Sequence, residues 1–584
     1  MTRSRRAYFI WNAEQQETVM ALTCREQAVS EDYVDFIWQM NLGEEELNHF
    51  FPDICRQVIN NFYVTFYVER ASLPPGRETQ YGYEVLPSLY TLLQNESLEA
   101  SNILTLQNQP VLQLKGEGVI AGFIDTGIDY TNGCFRDLAG KSRILALWDQ
   151  EDQSGETPEG IGYGTVYTQA DLNRALESGD PWSVVPSRDT AGHGTRLAAI
   201  AAGSEDRSTG WIGAAPLAEL AVVKLKPAKQ YLKEYFMVPE EAQAYQENDI
   251  MLGVRFLHEL ALREKKPLVI CIGLGTNMGS HAGTSPLSFY LNTIGTIAGR
   301  CIVIAAGNEA NQGHHFYGTL SQEGEYQDAE LRVAEGEQGL MMQLWSNSPD
   351  VLSVSLISPS GEEVPRVTSG MKSLKFDFLF EKTVVYVNFQ SLDPYSGDQL
   401  VVIRMSEPTP GIWRIRVYGE TVVGGVYNIW LPVTGFISAD TVFLDSNPDI
   451  TLTEPANSEI PITAAAYRTE NESIYIDSSR GYTRKGRIKP DLAAPGVAVT
   501  TYGPGNALSA MTGTSAAAAV TAGASALMLE WGIVRGRRLT IGTLEIKQLM
   551  IRGARRTGSQ LYPNRIWGYG TLDLYGAFSA LGRF

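Results

Sequence analysis

Cysteine is scarce and poorly spaced for chemistry. Cys24, Cys55, Cys134, Cys271 and Cys301 are five in 584 residues, with no CxxC pair among them. An odd, scattered set speaks against a disulfide scaffold and against a zinc cluster, and sets reduced, buried thiols in a cytosol-like compartment as the expectation. Basic charge is also in deficit, 47 Lys and Arg against 66 Asp and Glu, for a formal charge of −19. Such a chain repels phosphate backbones, so nucleic acid is not an expected partner. Near the N-terminus the apolar run Tyr8–Trp11 is only four residues long. That is too short for a signal-peptide core, and secretory export is not expected.

What the chain does hold is length for two or three domains. The first 94 residues mix strand-like runs (Tyr33–Trp38, Phe62–Val68) with helical spacing over Glu44–Asn60, an α+β texture. Gln94–Gln109 is polar and reads as a linker or surface helix. From Gly116 short unbroken apolar runs appear at Val119–Ile124, Leu220–Val223, Leu268–Ile272 and Cys301–Ala306, with helix-length stretches such as Asp249–Arg263 between them. Runs without alternation, interleaved with helices, predict a parallel sheet covered on both faces, an α/β fold of three layers. Between about 319 and 450 the runs alternate instead (Leu340–Trp345, Val351–Leu356, Thr383–Phe389, Leu400–Arg404, Trp413–Tyr418), predicting an inserted all-β, jelly-roll-like module. The α/β texture resumes from 451 to 584. Within it Leu492–Leu529 carries no charged residue but holds two Pro and five Gly. It is expected to be tightly packed soluble core, not a membrane span.

Function in a parallel sheet gathers at the carboxyl ends of strands. Asp125 follows six apolar residues in Asp125-Thr-Gly-Ile-Asp129; singly it could be no more than a turn-capping carboxylate. His193 lies between glycines in Asp189-Thr-Ala-Gly-His-Gly-Thr195, where close backbone approach is possible, or where a buried structural His could sit. Ser515 in Gly513-Thr-Ser515 opens a small-residue helix, beside free backbone N–H groups and the positive end of the helix dipole, or it is a plain N-cap. Asn308 ends the Ala305-Ala-Gly-Asn308 run, as a turn residue or as an amide able to donate to a developing oxyanion.

Taken together, Asp, His, Asn and Ser in that order and in those glycine-rich contexts resemble the subtilisin-like serine peptidases, the subtilases. Gly273-Leu-Gly275, Ser479-Arg-Gly481 and Lys489-Pro-Asp-Leu-Ala-Ala-Pro-Gly496 add to the likeness, which spans some 400 residues. It implies a subtilisin-like fold and a serine endopeptidase with Asp125, His193 and Ser515 as catalytic triad and Asn308 at the oxyanion. Gly273, Leu274 and Gly275 would bind an extended substrate as an added strand. The interval from Asn308 to Ser515, 207 residues, leaves room for the β module. That insertion, the Gly513-Thr-Ser-Ala-Ala-Ala-Ala519 text, Gly275–Leu287 and Gly307–His315 are similar to the Csp group, germination proteases of clostridia and related gut bacteria.

The resemblance further implies that residues 1–94 are a prodomain whose tail, Leu86–Leu93, occupies the active site. The chain would cut itself between Tyr90 and Asn95, and the prodomain would stay bound. A permanent, uncleaved subdomain is the alternative. The catalytic domain would then comprise 95–318 and 451–584, flanking the insert at 319–450. The implied role is activation of a protein zymogen in spore germination, in the cytoplasm or packaged in the spore. A weakly active signalling subunit and a general degradative protease remain open. Subtilases usually have Met after the nucleophile and Pro-His later; here Ala516, Ala519 and Val520 stand there, and none of those positions supplies a catalytic atom. Protein or peptide substrate is the expected partner, with no membrane, no cofactor and no metal. His314-His315 reads as a polar loop pair, and Glu44–Glu46 as a solvated helix start.

Overall fold

The computed structural model describes residues 22–39, 49, 54–60, 62–73, 85–92, 99–110, 112–371 and 373–581. Its centre is a nine-stranded sheet. Six strands follow one another from one side as Ile144–Asp149, Glu219–Lys224, Ile120–Asp125, Leu268–Ile272, Arg300–Ala305 and Ile462–Arg468, all parallel, with Leu492–Pro495 adding a parallel partner to the last. Antiparallel strands Thr165–Thr168 and Ser473–Ile474 close the two ends. The unbroken apolar runs are explained by burial on both faces. One face packs the helices His193–Ala202 and Thr514–Leu529, the other packs Glu247–Arg263 and Pro286–Gly295.

The uncharged Leu492–Leu529 stretch supplies the Leu492–Pro495 strand and the Ala-rich helix, whose every residue is buried. By length and hydropathy Thr514–Val534 could cross a bilayer, yet 83% of its most apolar window is buried inside the fold. Small side chains are required here: a Cβ on Gly523 would lie 2.3 Å from Ala214 Cβ and 2.8 Å from the Ala201 carbonyl of the neighbouring helix.

Residues 315 to 443 form two antiparallel sheets, one of six strands and one of five, with its members Tyr326–Val333 and Gly411–Thr421 paired over eight residues. They enclose their own apolar core around Trp413, Val354 and Ile403. The first of these strands, His315–Thr319, starts ahead of residue 319, because it pairs with Val426–Trp430.

At the N-terminal end the strands Tyr33–Gln39, Tyr63–Glu69 and Arg56–Val58 make a three-stranded antiparallel sheet. The helical spacing over Glu44–Asn60 is overturned in part, since Arg56–Val58 is a strand; Glu44–Glu46 lies outside the described residues. A capping box, Thr23 with Glu26, starts the short helix Cys24–Val29. That helix and the turn before Arg56 meet, and Cys24 and Cys55 are joined in a disulfide with Cα atoms 5.2 Å apart. The expectation of five reduced thiols is therefore corrected for this pair. A separation of 31 residues carries no sign of the contact, which follows from the pairing of Arg56–Val58 with Tyr63–Glu69 and from the Tyr67 N–H donating to the Cys55 carbonyl at 2.9 Å. Cys134, Cys271 and Cys301 are free and buried, and burial pushes their thiols up, that of Cys301 to about 12.

Of Gln94–Gln109, expected as a linker or surface helix, residues 94–98 lie outside the described residues, and the rest is not a surface helix. Ile103, Leu106 and Gln107 on helix Ile103–Gln107 are buried, and Gln107 Nε2 donates to the carbonyls of Gly213 and Ala214 at 2.9 Å.

Candidate active site

Three chain segments that end or begin at one edge of the sheet bring Asp125, His193 and Ser515 together. Asp125 is the last residue of its strand. His193 is the first residue of helix His193–Ala202, and its Nδ1 lies 2.7 Å from Asp125 Oδ1. Ser515 is the second residue of helix Thr514–Leu529. Its hydroxyl donates to the Gly273 carbonyl at 3.1 Å. All three side chains converge on the α-carbon of Gly273, where an added Cβ would sit 3.1 Å from His193 Cε1, 3.3 Å from Ser515 Oγ and 3.4 Å from Asp125 Oδ2. Glycine at 273 keeps that space open, and each member of the group is buried.

Polar residues around the group hold it in register. Asp189, from the His193 motif, accepts from Thr126 Oγ1 (2.7 Å) and Gly192 N (2.7 Å) with one oxygen and from Thr195 N (2.8 Å) and Thr195 Oγ1 (2.6 Å) with the other. It thus ties the Asp125 turn to the His193 helix start. Gly194 is needed for the same approach, because a Cβ there would lie 2.2 Å from the Gly127 carbonyl.

Asn308 follows the Arg300–Ala305 strand. Its Oδ1 accepts from Thr514 N at 3.0 Å and Thr514 Oγ1 at 3.2 Å, while Thr514 Oγ1 itself accepts from Gly307 N at 3.0 Å. With the carbonyl end of the amide occupied twice over, its NH2 end is the one left for a ligand at the Ser515 helix start. Ser479 serves the same turn: Ser479 N donates to the Gly307 carbonyl at 2.8 Å and its Oγ accepts from Glu309 N at 3.0 Å. The Lys489-Pro-Asp491 motif is structural, Lys489 Nζ donating to Asp491 Oδ2 at 2.6 Å and to the Pro461 carbonyl at 2.7 Å.

The two histidines that follow Glu309 depart from expectation. His314 and His315 are not loop residues in water but are buried at 3% and 1% exposure. His314 Nδ1 lies 2.7 Å from Glu309 Oε2, which also accepts from Asn277 Nδ2 at 3.0 Å. Burial pushes the Glu309 carboxyl up, but the His314 imidazole and the Thr434 hydrogen bond outweigh it and leave the group below the usual carboxylate range. His315 is held between the Asn447 carbonyl and Asn428 Oδ1, stacked on Trp430. Among the described residues no group of three His, Cys, Asp or Glu is arranged to hold a metal.

A strand lies across the site. Leu89–Leu92 is the middle member of a three-stranded antiparallel sheet, with Leu92 opposite Leu274 and Thr91 opposite Gly275 on one side, Tyr90 opposite Tyr245 and Leu89 opposite Gln246 on the other. The Gly273–Gly275 edge is legible from its motif. The Tyr245–Gln246 edge is not: it is two residues long, directly ahead of helix Glu247–Arg263, and its only sequence signal is that helix start. Thr514 lies inside the Ser515 motif, but nothing in the linear text separates its role from that of its neighbour. Of the expected cutting window, Leu93, Gln94 and Asn95 lie outside the described residues.

The model of the subtilase family matches residues 116–392 and 438–570. Among solved structures, the CspB protease of Clostridium perfringens is similar at 32% identity and a TM-score of 0.74, covering 82% of this chain and 96% of that one. No curated protein matches.

Proposed function

From a chain that belongs to the subtilase family and is a subtilisin-like serine peptidase, we propose that Asp125, His193 and Ser515 form the catalytic triad, with Asn308 as oxyanion donor, and that residues 1–94 are a prodomain the enzyme cuts from itself. Ser515 Oγ attacks the scissile carbonyl and passes its proton to His193, whose ring Asp125 orients through Nδ1. The Asn308 NH2 and the Ser515 backbone N–H receive the oxyanion. His193 then protonates the leaving amine, and water releases the acyl group.

The observation that carries this reading is the register of the Leu89–Leu92 strand. It lies antiparallel between two edges, as an extended peptide substrate would. Counting on one residue from Leu92 opposite Leu274 reaches the level of Gly273, whose carbonyl meets Ser515. Self-cleavage is therefore expected between Leu93 and Gln94. Intact-mass measurement of the purified protein under denaturing conditions checks it: a fragment ending at Leu93 supports the reading, and a cut elsewhere in Tyr90–Asn95 would displace the register. Replacing Asn308 with Leu is expected to lower kcat about 10²–10³-fold with little change in KM, since the lost donor acts on the transition state. An unchanged kcat in steady-state assay would remove Asn308 from that role.

Likeness to a protein titled CspB protease, together with the Csp-like motifs, supports a narrow physiological role, the activation of a protein zymogen by limited proteolysis during spore germination, in the cytoplasm or packaged in the spore. Digestion of casein to small peptides by the purified enzyme would replace that role with a general degradative one.

A further inference from the structure

Asp35 lies in the middle of the strand Tyr33–Gln39, fully buried, and its side chain is received by another part of the chain. Lys229 Nζ pairs with Oδ1, and Gln246 Nε2 and Asn248 Nδ2 donate to Oδ2 at 3.1 and 3.0 Å. The Tyr231 hydroxyl accepts the Asp35 N–H at 2.7 Å and donates to the Asp35 carbonyl at 3.1 Å. Gln246 closes the circuit, its Oε1 accepting the Lys229 backbone N–H at 2.7 Å.

Gln246 is also one of the two residues of the outer edge of the cleft. In that three-stranded sheet the neighbour of Tyr245–Gln246 is the Leu89–Leu92 strand itself. Once the tail departs to admit a substrate, a two-residue edge has no strand beside it to keep it extended. Its side-chain anchorage to Asp35 remains, because Asp35 belongs to the body of the N-terminal segment and not to the tail. Without that carboxylate the buried Lys229 cation loses its counter-charge and keeps only the Gln27 and Tyr33 carbonyls, at 3.3 and 3.1 Å, and the amides of Gln246 and Asn248 lose the acceptor they share, a loss that the surrounding backbone must relax to relieve.

We propose that Asp35 positions the Tyr245–Gln246 edge for substrate binding, so that the N-terminal body is a working part of the peptidase after its tail is cut. This rests on the cleft being the peptidase site. In the register of the tail, the fourth and fifth residues before the cut face Tyr245 and Gln246. A peptide with five residues ahead of the scissile bond reaches this edge, and one with two stops short of it.

The test compares wild type with Asp35→Asn on both peptides. The variant is expected to raise KM for the long peptide about tenfold or more, the loss of one charge-assisted hydrogen bond, with kcat within about twofold and the short peptide unaffected. An unchanged KM on the long peptide, or an equal loss on both peptides, would overturn the proposal. Should Asp35→Asn fail to fold, Asp35→Leu combined with Lys229→Met replaces the buried pair by apolar side chains of similar volume and removes the charge imbalance. It still removes the Asp35 oxygen that Gln246 and Asn248 share, so the long-peptide KM is expected to stay raised. A return to the wild-type KM would overturn the proposal, because charge balance alone would then account for the effect. Wild type inactive on both peptides would refute the peptidase reading itself, whereas active wild type beside an indifferent variant refutes only the role of Asp35.

Discussion

Ser515→Ala is expected to leave the chain whole and to lower kcat by about 10⁶. The substitution removes one oxygen from a side chain at the start of an Ala-rich helix whose residues are all buried. What it deletes from the folded protein is the hydrogen bond to the Gly273 carbonyl, a net loss of about 1 kcal/mol, so the thermal midpoint is expected to move little. Chemistry bears nearly the whole effect, since no other oxygen at this position can be acylated. Residual hydrolysis about 10³–10⁴ above water would persist through Asn308 and the cleft edges. Intact mass and steady-state rates on wild type and variant side by side make the check. Self-cutting of Ser515→Ala at the wild-type rate would point to another nucleophile or an outside protease. Both chains remaining whole would sink the self-cleavage reading and favour a signalling subunit that keeps the fold.

The site is far more legible in the sequence than the surfaces around it. Asp125, His193, Asn308 and Ser515 stand at the ends of buried strands or the starts of buried helices, and close packing there demands glycine or a small polar residue at fixed offsets. Gly194, with no room for a Cβ beside the Gly127 carbonyl, is one such demand. The parallel strands are legible for a related reason, as burial on both faces leaves unbroken apolar runs. Contacts between distant segments leave no such trace. Cys24 and Cys55 look like two unrelated thiols until the antiparallel sheet folds them together. Asp35 is one polar residue in the strand-like run Tyr33-Val-Asp-Phe-Ile-Trp38, and nothing in that run points to Lys229, Gln246 and Asn248, against which it is buried. His314 and His315 read as loop residues because Glu309 and Asn428, which receive them, are ordinary polar residues in linear order.

Asp125→Asn separates orientation from nucleophilicity. A carboxylate accepts the Nδ1–H of His193 across the 2.7 Å contact and so leaves Nε2 with its lone pair to act as base. Asparagine fits the same volume, but Asp125 Oδ1 receives both Thr126 N at 2.8 Å and His193 Nδ1 at 2.7 Å, so one amide group must serve both contacts. An amide oxygen at that position is an uncharged acceptor that no longer stabilises the imidazolium, and an NH2 there donates to Nδ1, moves the ring proton to Nε2 and removes the base. The expected loss is about 10⁴ in kcat at neutral pH, with KM and thermal midpoint close to wild type. Self-cleavage should respond less severely over time than turnover suggests. The tail is already held as a middle strand between two edges, and an intramolecular step with its reactants aligned carries an effective molarity of about 10⁵ M or more. Fragment ending at Leu93 should therefore accumulate slowly in Asp125→Asn and never in Ser515→Ala, as followed by intact mass over days. Processing of Asp125→Asn at the wild-type rate would show that Asp125 does not orient the imidazole. No processing at all in either variant would place Asp125 with Ser515 as indispensable to the cut, beyond a role in setting the tautomer.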